Sequence, residues 1–122
     1  MRCFANVASR LGDGGVFVIE AFVPDLTLYN HGQRLWVMDI GSGSVRLDAG
    51  RIYPSDQQVE AMQLVLTDDR VRLYPVHLRY AWPAELDLMA RLAGLRLHHR
   101  WGDWDRREFD DTSTRHVSVY GM

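Results

Sequence analysis

Disulfide chemistry is missing from this sequence: Cys3 is the single cysteine among 122 residues, so no internal disulfide can form. That usage is compatible with a reducing compartment, and a cytoplasmic location is expected. Long hydrophobic runs are missing too. The longest, Val16 to Val23, is interrupted by Glu20 and is far shorter than the roughly 20 apolar residues that span a bilayer. Arg2, Asn6, Ser9 and Arg10 break up the first residues, leaving no apolar core for a secretion signal. Charge of one sign is scarce: the formal net charge is −2 and there is no polybasic run. Neither a nucleic acid nor a membrane surface is therefore expected as a partner. Repeats and low-complexity segments are also absent. What remains is ordinary for a globular protein, with 47% hydrophobic and 25% charged residues,. A chain of this length is expected to form one domain over residues 1–122 and to bury roughly two thirds of its unfolded surface.

One stretch looks like a cofactor loop. In "VMDIGSGSVRLDAG", Val37 to Gly50, an apolar run and an acidic residue are followed by Gly41-Ser42-Gly43. A phosphate or nucleotide cradle needs such glycines between a buried strand and a helix, so that the helix N-terminus faces the ligand. Here Val45, Leu47 and Ala49 alternate with Arg46 and Asp48, and Pro54 comes next. Period two is a strand, so the glycines are read as a hairpin turn that needs positive φ.

The periodicities predict mixed elements. Phe4, Val7, Ala8 and Leu11 fall at helical spacing, with Gly12 as the stop,. Val16–Val23 is a near-continuous apolar strand of the kind buried on both faces of a parallel sheet. From about Arg34 to Tyr80, alternating segments separated by Pro54-Ser55-Asp56 and Asp68-Asp69 predict an antiparallel meander,. Its strand Ser44 to Ala49 has the half-exposed period, with Arg46 and Asp48 on the polar side. A helix is expected from Pro83, with Leu86, Met89, Ala90 and Ala93 on one face and Gly94 as its C-cap,. Leu95, Leu97, His99 and Trp101 then alternate as a strand. A polar loop, Gly102 to Thr114, leads to a last strand with Val117 and Val119 inward.

Two segments carry a family resemblance. "FANVASRLGDGGVFVIEAFVP" is similar to the helix, Gly-Gly turn and fifth sheet strand of class I S-adenosylmethionine-dependent methyltransferases. "RYAWPAELDLMARLAGLRLHHRWGDWD" followed by "DDTSTRHVSVYGM" resembles their C-terminus: a Pro-x-Glu-Leu helix ending in Ala-Gly, a strand, an acidic-aromatic loop and the last antiparallel strand. The resemblance implies an α/β fold, α+β in appearance. It would be a partial Rossmann-like sheet made of strands 5, 7 and 6, with residues 34–80 inserted as the meander. Members of the family bind the cofactor with their first half, whose strand-Gly-x-Gly-helix loop and ribose-binding acidic residue have no counterpart here. The chain is thus expected to be the acceptor-side, C-terminal portion of such an enzyme, acting on a small molecule and inactive alone. S-adenosylmethionine would serve the parent, and none is expected to bind this chain. Trp82 departs from the family at the N-cap, where Ser or Thr is frequent and Trp cannot cap. An apolar strand without its parallel neighbour leaves an open edge, so a homo-oligomer paired through that edge is expected.

Candidate site residues come from the resemblance and from their chemistry. Glu20, near the carboxyl end of its strand, is placed to orient an acceptor or take its proton; the plain alternative is a polar residue at a strand exit. Tyr29 and His31 lie in the following loop, where His31 is a candidate base, histidine being the residue type suited to proton transfer near neutral pH; the plain alternative is a solvated loop residue. Arg79, Tyr80 and Trp82 precede the Pro-x-Glu-Leu helix and could line an acceptor pocket, or simply pack. His98 and His99 point to opposite faces of a strand and cannot share a metal, and His99 is expected in the core. Asp103, Asp105, Asp110 and Asp111 lack the glycine and terminal glutamate of a calcium loop and are read as solvated, with Arg106 and Arg107 as partners. No metal site is expected. Ser113 and His116 could be drawn as a hydrolase pair, but no Gly-x-Ser-x-Gly elbow exists. Cys3 has no base beside it. The competing reading is a non-enzymatic α+β module in which the meander cups an apolar ligand or a partner protein.

Overall fold

A computed structural model describes residues 2–122. The chain divides into two compact units, Met1–Pro24 with Ala81–Met122, and Asp25–Tyr80.

The first unit holds α1 (Arg2–Ala8), β1 (Val16–Phe22), α2 (Pro83–Leu92), β6 (Arg96–Trp101) and β7 (Arg115–Gly121). Its three strands lie in the order β1–β7–β6, with β7 antiparallel to both neighbours. Pro83 opens α2, and Trp82 stands at the N-cap without a side-chain capping bond. Gly94 takes the positive φ of 83° that closes the helix, and the Leu95 amide donates back to the Ala90 carbonyl at 2.9 Å,. Leu86 and Ala90 on α2 bury against Phe4, Leu95 and Tyr120, with Phe17 and Ile19 packed on the same cluster. The Phe4 ring meets Phe17 and Tyr120 edge-on at 5.5 and 5.9 Å, a geometry that the ring quadrupoles favour.

Three expectations are corrected in this unit. The strand expected to be buried on both faces is covered on one. Phe17 and Ile19 turn toward the core while Val16, Val18 and Phe22 are exposed. Its single hydrogen-bonded neighbour among the described strands is β7, so the second face and the second edge lack the cover that a central parallel strand has. In β7, Val117 is buried as expected, but His116, Ser118 and Tyr120 are buried as well. His116, Ser118 and Tyr120 share the face that meets Phe109, Arg100 and Phe4, and with Val117 buried on the other face alternation is lost. In β6 the register slips between Leu97 and His99. The bulge breaks the period of two, and His99, expected in the core, is exposed and stacks on Trp101 at 5.2 Å.

The second unit is the expected meander: β2 (Gln33–Gly41), β3 (Ser44–Tyr53), β4 (Gln58–Thr67) and β5 (Val71–Arg79), paired in sequence order. Gly41 pairs with Ser44 across a two-residue turn, and Gly43 sits at φ 83°, the left-handed conformation that a tight hairpin requires of glycine. Gly41-Ser42-Gly43 is a turn between strands, with no helix after it. Pro75, which cannot donate to a ladder, lies in β5 at the sheet edge, where it is tolerated. Ile52, Val59 and Tyr80 form the core, joined by Tyr29, Ala61 and Leu78.

Here the expected polar side of β3 is inverted. Asp48 is 7% exposed and in register with Gln63, two residues along the same face from Gly50, whose partner is Ala61. The face of Asp48, Gly50 and Ile52 is the covered one. Val45, Leu47 and Ala49 point to the other.

Candidate functional site

The carboxyl ends of β1 and β6 and the amino end of β7 come together in the first unit, joined by the loop Gly102–Thr114. Glu20 reaches this rim because the β1 register places it opposite Val117. Its carboxylate accepts a hydrogen bond from the Trp104 indole Nε1 at 3.0 Å and lies 3.5 Å from an Arg115 guanidinium nitrogen. Arg115 is also 3.9 Å from Asp103. Asp103 in turn accepts from the Trp104 backbone amide at 2.8 Å and from Arg107 at 2.8 Å. The result is an exposed chain of alternating charges, Glu20–Arg115–Asp103–Arg107, with one indole held across it.

Within the loop, Asp105 accepts from the Arg107 amide and guanidinium at 3.0 and 3.2 Å, and these bonds hold its carboxyl below the usual range. Asp110 accepts from the Thr112 hydroxyl and amide at 2.7 and 2.9 Å, and its carboxyl is lowered for that reason. Arg107 is therefore the expected partner of the acidic loop. Arg106 is not: its guanidinium lies over the Trp101 ring, 5.3 Å from the centroid. No group of three or more His, Cys, Asp or Glu side chains arranged to hold a metal ion occurs among the described residues.

Behind the rim lies a network that periodicity did not reveal. Arg100 on β6 donates two hydrogen bonds to Asp87 on α2, at 2.6 and 3.2 Å, one to the Ser118 hydroxyl at 2.8 Å and one to the Tyr120 hydroxyl at 3.1 Å. Tyr120 donates to Asp87 at 2.8 Å. Burial alone would raise the Asp87 pKa, but the bonds from Arg100 and Tyr120 outweigh it and hold the carboxyl below its ordinary value. Burial, then the bond to Asp87, pushes the Tyr120 hydroxyl up to about 12. Ser118 passes the chain on to His116 Nδ1 at 2.8 Å. A serine hydroxyl both donates and accepts, so the imidazole tautomer decides which of the two groups gives the proton in this bond,. Burial and the Arg100 charge lower the His116 pKa, so the ring is neutral at physiological pH. The hydrolase arrangement has no support. Ser113 bonds Asp110, His116 bonds Ser118, and Ser118 is fully buried. A sequence signal for this network existed only as Asp87 and Arg100 on separate elements, whose meeting depends on the fold.

In the second unit Tyr29 is brought to Tyr80 in one cluster. Tyr80 is 3% exposed and packs rather than lines a surface. The Arg34 guanidinium lies over the Tyr29 ring at 5.1 Å and pairs with Asp48 at 2.6 Å. Gly50 makes room for this: a Cβ there would stand 3.2 Å from Arg34 Nε and 3.3 Å from its Cγ. Burial raises the Tyr29 pKa, against the opposing charge of Arg34. Arg34 and Asp48 were not among the expected site residues, since an alternating strand gives no sign that its acidic member faces inward. His31 is exposed, in the turn closed by the Asn30 and Gln33 backbone, at φ 48°. Arg79 is exposed and donates to the Gln57 side chain at 2.8 Å. Trp82 belongs to the first unit and is 37% exposed. Cys3 is exposed.

Neither a family model nor a curated protein matches the chain. Solved structures do. The CcbJ methyltransferase from Streptomyces caelestis superposes with a TM-score of 0.90 at 39% identity, covering 97% of this chain and 50% of that one. An S-adenosylmethionine-dependent methyltransferase from Clostridium acetobutylicum gives 0.78 at 13% identity, over 98% of this chain and 49% of that one. The sugar N-methyltransferase KedS8 from Streptoalloteichus sp. gives 0.54 at 21% identity, over 97% and 47%. The chain spans about half the length of the structures it matches.

Proposed function

We propose, from the premise that this chain has the fold of the C-terminal half of a class I S-adenosylmethionine-dependent methyltransferase, that it forms the acceptor-side portion of an enzyme methylating a small molecule. The observation that carries this reading is the CcbJ superposition: nearly the whole chain at 39% identity, against half of the other. In this reading β1, β7 and β6 are strands five, seven and six of the methyltransferase sheet, and residues 34–80 are an insertion on the substrate side of a single domain. The parent uses S-adenosylmethionine. The Gly-Ser-Gly motif is the β2–β3 turn and offers no cradle for it. The chain alone therefore neither binds the cofactor tightly nor transfers a methyl group.

The acceptor is a small molecule, as the name of the sugar N-methyltransferase KedS8 indicates for that protein. Glu20 is the residue assigned to orient the acceptor or take its proton, because ligands of open α/β sheets bind beyond the carboxyl ends of strands. Arg115 and Trp104 hold its carboxylate in one orientation. Tyr29, Arg79 and Trp82 are assigned to acceptor binding, with Tyr80 supporting Tyr29 by packing, and His31 is the second candidate for the base. The lone cysteine fits a cytoplasmic enzyme. Because β1 pairs with β7 alone among the described strands, an edge-paired oligomer is part of the reading, and a closed, non-enzymatic module is disfavoured.

The test is a chimera in which the first half of the Streptomyces caelestis protein precedes this chain. The expected outcome is a folded protein that binds S-adenosylmethionine, with β1 protected from hydrogen exchange. A chimera that leaves β1 exchanging as fast as in the isolated chain contradicts the assignment of β1 as strand five.

A further inference from the structure

One buried imidazole stands between the Arg100 network and the loop that holds Glu20. His116 shares a face of β7 with Ser118 and Tyr120, and Tyr120 packs against Leu86 and Ala90 of α2. The His116 side chain is fully buried. Its Nδ1 lies 2.8 Å from the Ser118 hydroxyl, while its Nε2 is buried without a hydrogen-bond partner among the described residues. Whichever tautomer is present, one ring nitrogen is unsatisfied, and such buried groups are rare in native proteins.

Across the ring stands Phe109, edge-on at 6.0 Å. The Arg100 guanidinium lies over the Phe109 ring, 5.6 Å from its centroid. Between Trp104 and Thr112 every residue is exposed except Phe109, which is half-buried. Phe109 therefore tethers the loop Gly102–Thr114 to the sheet by packing. The same loop brings the Trp104 indole to Glu20 at 3.0 Å and Asp103 to 3.9 Å from Arg115.

We propose that His116 and Phe109 form an acid-released latch: a neutral imidazole holds Phe109 and the loop down with Glu20 fixed, and a protonated one lets Phe109 lift, so that the loop opens and Trp104 leaves Glu20. The groups around the ring disfavour an added proton. From β6 comes Arg100, already a cation and bonded to the same Ser118 hydroxyl at 2.8 Å. From α2 comes Asp87, which favours the proton but is engaged by Arg100 and by the Tyr120 hydroxyl. β1 places Ala21 opposite His116, and Glu20 and Arg115 pair on the other face of the sheet. Glu108 and Asp110, on either side of Phe109, are exposed. An imidazolium carries a proton on both nitrogens. Its Nδ1–H would compete with the Arg100 Nε–H for one serine oxygen, and its Nε2–H would meet no acceptor. Arg100 and Ser118 are tied to α2 and to the sheet, so relief comes on the side of Phe109, where an exposed loop opens most easily. Burial and the Arg100 charge set the release on the acid side of ordinary histidine titration,. The latch needs neither methyl donor nor acceptor, so its failure would leave the acceptor-side reading untouched. On that reading, acid unfixes the residue assigned to the acceptor.

The test is an NMR titration of the full chain from about pH 7.5 to about pH 5, above the range in which ordinary carboxylates titrate. The His116 ring signal gives its midpoint, and the Trp104 indole N–H, identified with Trp104→Phe, reads the loop. The indole signal is expected to leave its hydrogen-bonded position with the same midpoint as His116, while the amides of α2 stay protected from exchange. In His116→Gln, uncharged throughout, the indole signal is expected to stay put. In His99→Gln, which removes the histidine stacked on Trp101, the response is expected to persist. Phe109→Ala is expected to show the released indole signal already at about pH 7.5, a reading that involves no substitution inside the sheet. A His116 that stays neutral over the whole titration overturns the proposal, as does an indole signal that does not follow His116. A response that survives His116→Gln, one that disappears in His99→Gln, or a Phe109→Ala variant that holds Trp104 as the wild type does also overturns it.

Discussion

Asp87→Asn isolates the network that ties α2 to the sheet. The substitution keeps the shape and removes the charge that Arg100 faces at 2.6 Å. The two side chains are 13% and 23% exposed, so the pair sits between two limits. Breaking a fully buried pair costs about 3–5 kcal/mol, and an exposed pair contributes about 0–1 kcal/mol. The remaining bonds from Arg100 to Ser118 and Tyr120 soften the loss, so destabilisation of about 2–3 kcal/mol is expected. Unfolding entropy of about 2.1 cal/mol/K per residue over 122 residues translates this into a melting point lowered by about 8–12 °C. The assay is a thermal melt at fixed protein concentration and neutral pH, with Tyr120→Phe to complete a double-mutant cycle through the bond to Asp87. Asp39→Asn is the control, because its pair with Arg46 is 3.5 Å long and more than half exposed on both sides, and its melting point is expected to stay put. If Asp87→Asn melts within about 2 °C of wild type, the network is not a structural clamp and the reasoning fails.

Three groups of the buried network contribute to the pH dependence of stability. Asp87 has a lowered pKa, so its contribution is present above the unfolded value of 3.8 and is lost as pH falls through the folded one,. His116 is also lowered, and its contribution declines as pH falls below 6.5,. Tyr120 is raised to about 12, so its contribution declines as pH rises above 10,. Urea midpoints should therefore be flat between the His116 and Tyr120 limits, and His116→Gln should remove the loss just below pH 6.5. Gly43→Ala should destabilise by about 1 kcal/mol in a denaturant titration, because φ is positive there,; an unchanged midpoint would argue against the hairpin constraint. Glu20→Gln in an active chimera should lower kcat/KM about tenfold or more while leaving the melting point unchanged; a variant as active as its parent removes Glu20 from the site.

Much of the architecture was legible because its determinants are local. Pro83 and Gly94 bracket α2, and Gly41-Ser42-Gly43 is marked as a turn by the alternating strand that comes directly after it. Alternation correctly grouped Val45, Leu47 and Ala49 on one face but assigned the wrong side of β3 to the core. Periodicity reports which residues point together; it does not say which face the chain itself will cover. The buried Asp48 is possible because Arg34 reaches it over a glycine on a neighbouring strand, and no reading of β3 alone contains that. The expectation for Val16–Val23 failed for the same reason: apolar residues on both faces report a demand for cover, and the described residues meet it on one face only. The bulge in β6 moved His99 out of the core, and the Arg100–Asp87–Tyr120 network joins three elements far apart in sequence. Of the expected site residues, Glu20 gained specific partners, Tyr80 became core, and Tyr29 found Arg34.

If this chain carries the wall that receives a methyl acceptor and none of the chamber that holds the methyl donor, the purified chain must be blind to the donor. Calorimetric titration with S-adenosylmethionine measures that directly. No heat of binding should emerge up to about millimolar cofactor, a level at which about 4 kcal/mol of binding free energy would register. A saturating isotherm with a micromolar dissociation constant would mean that these residues build the donor site themselves.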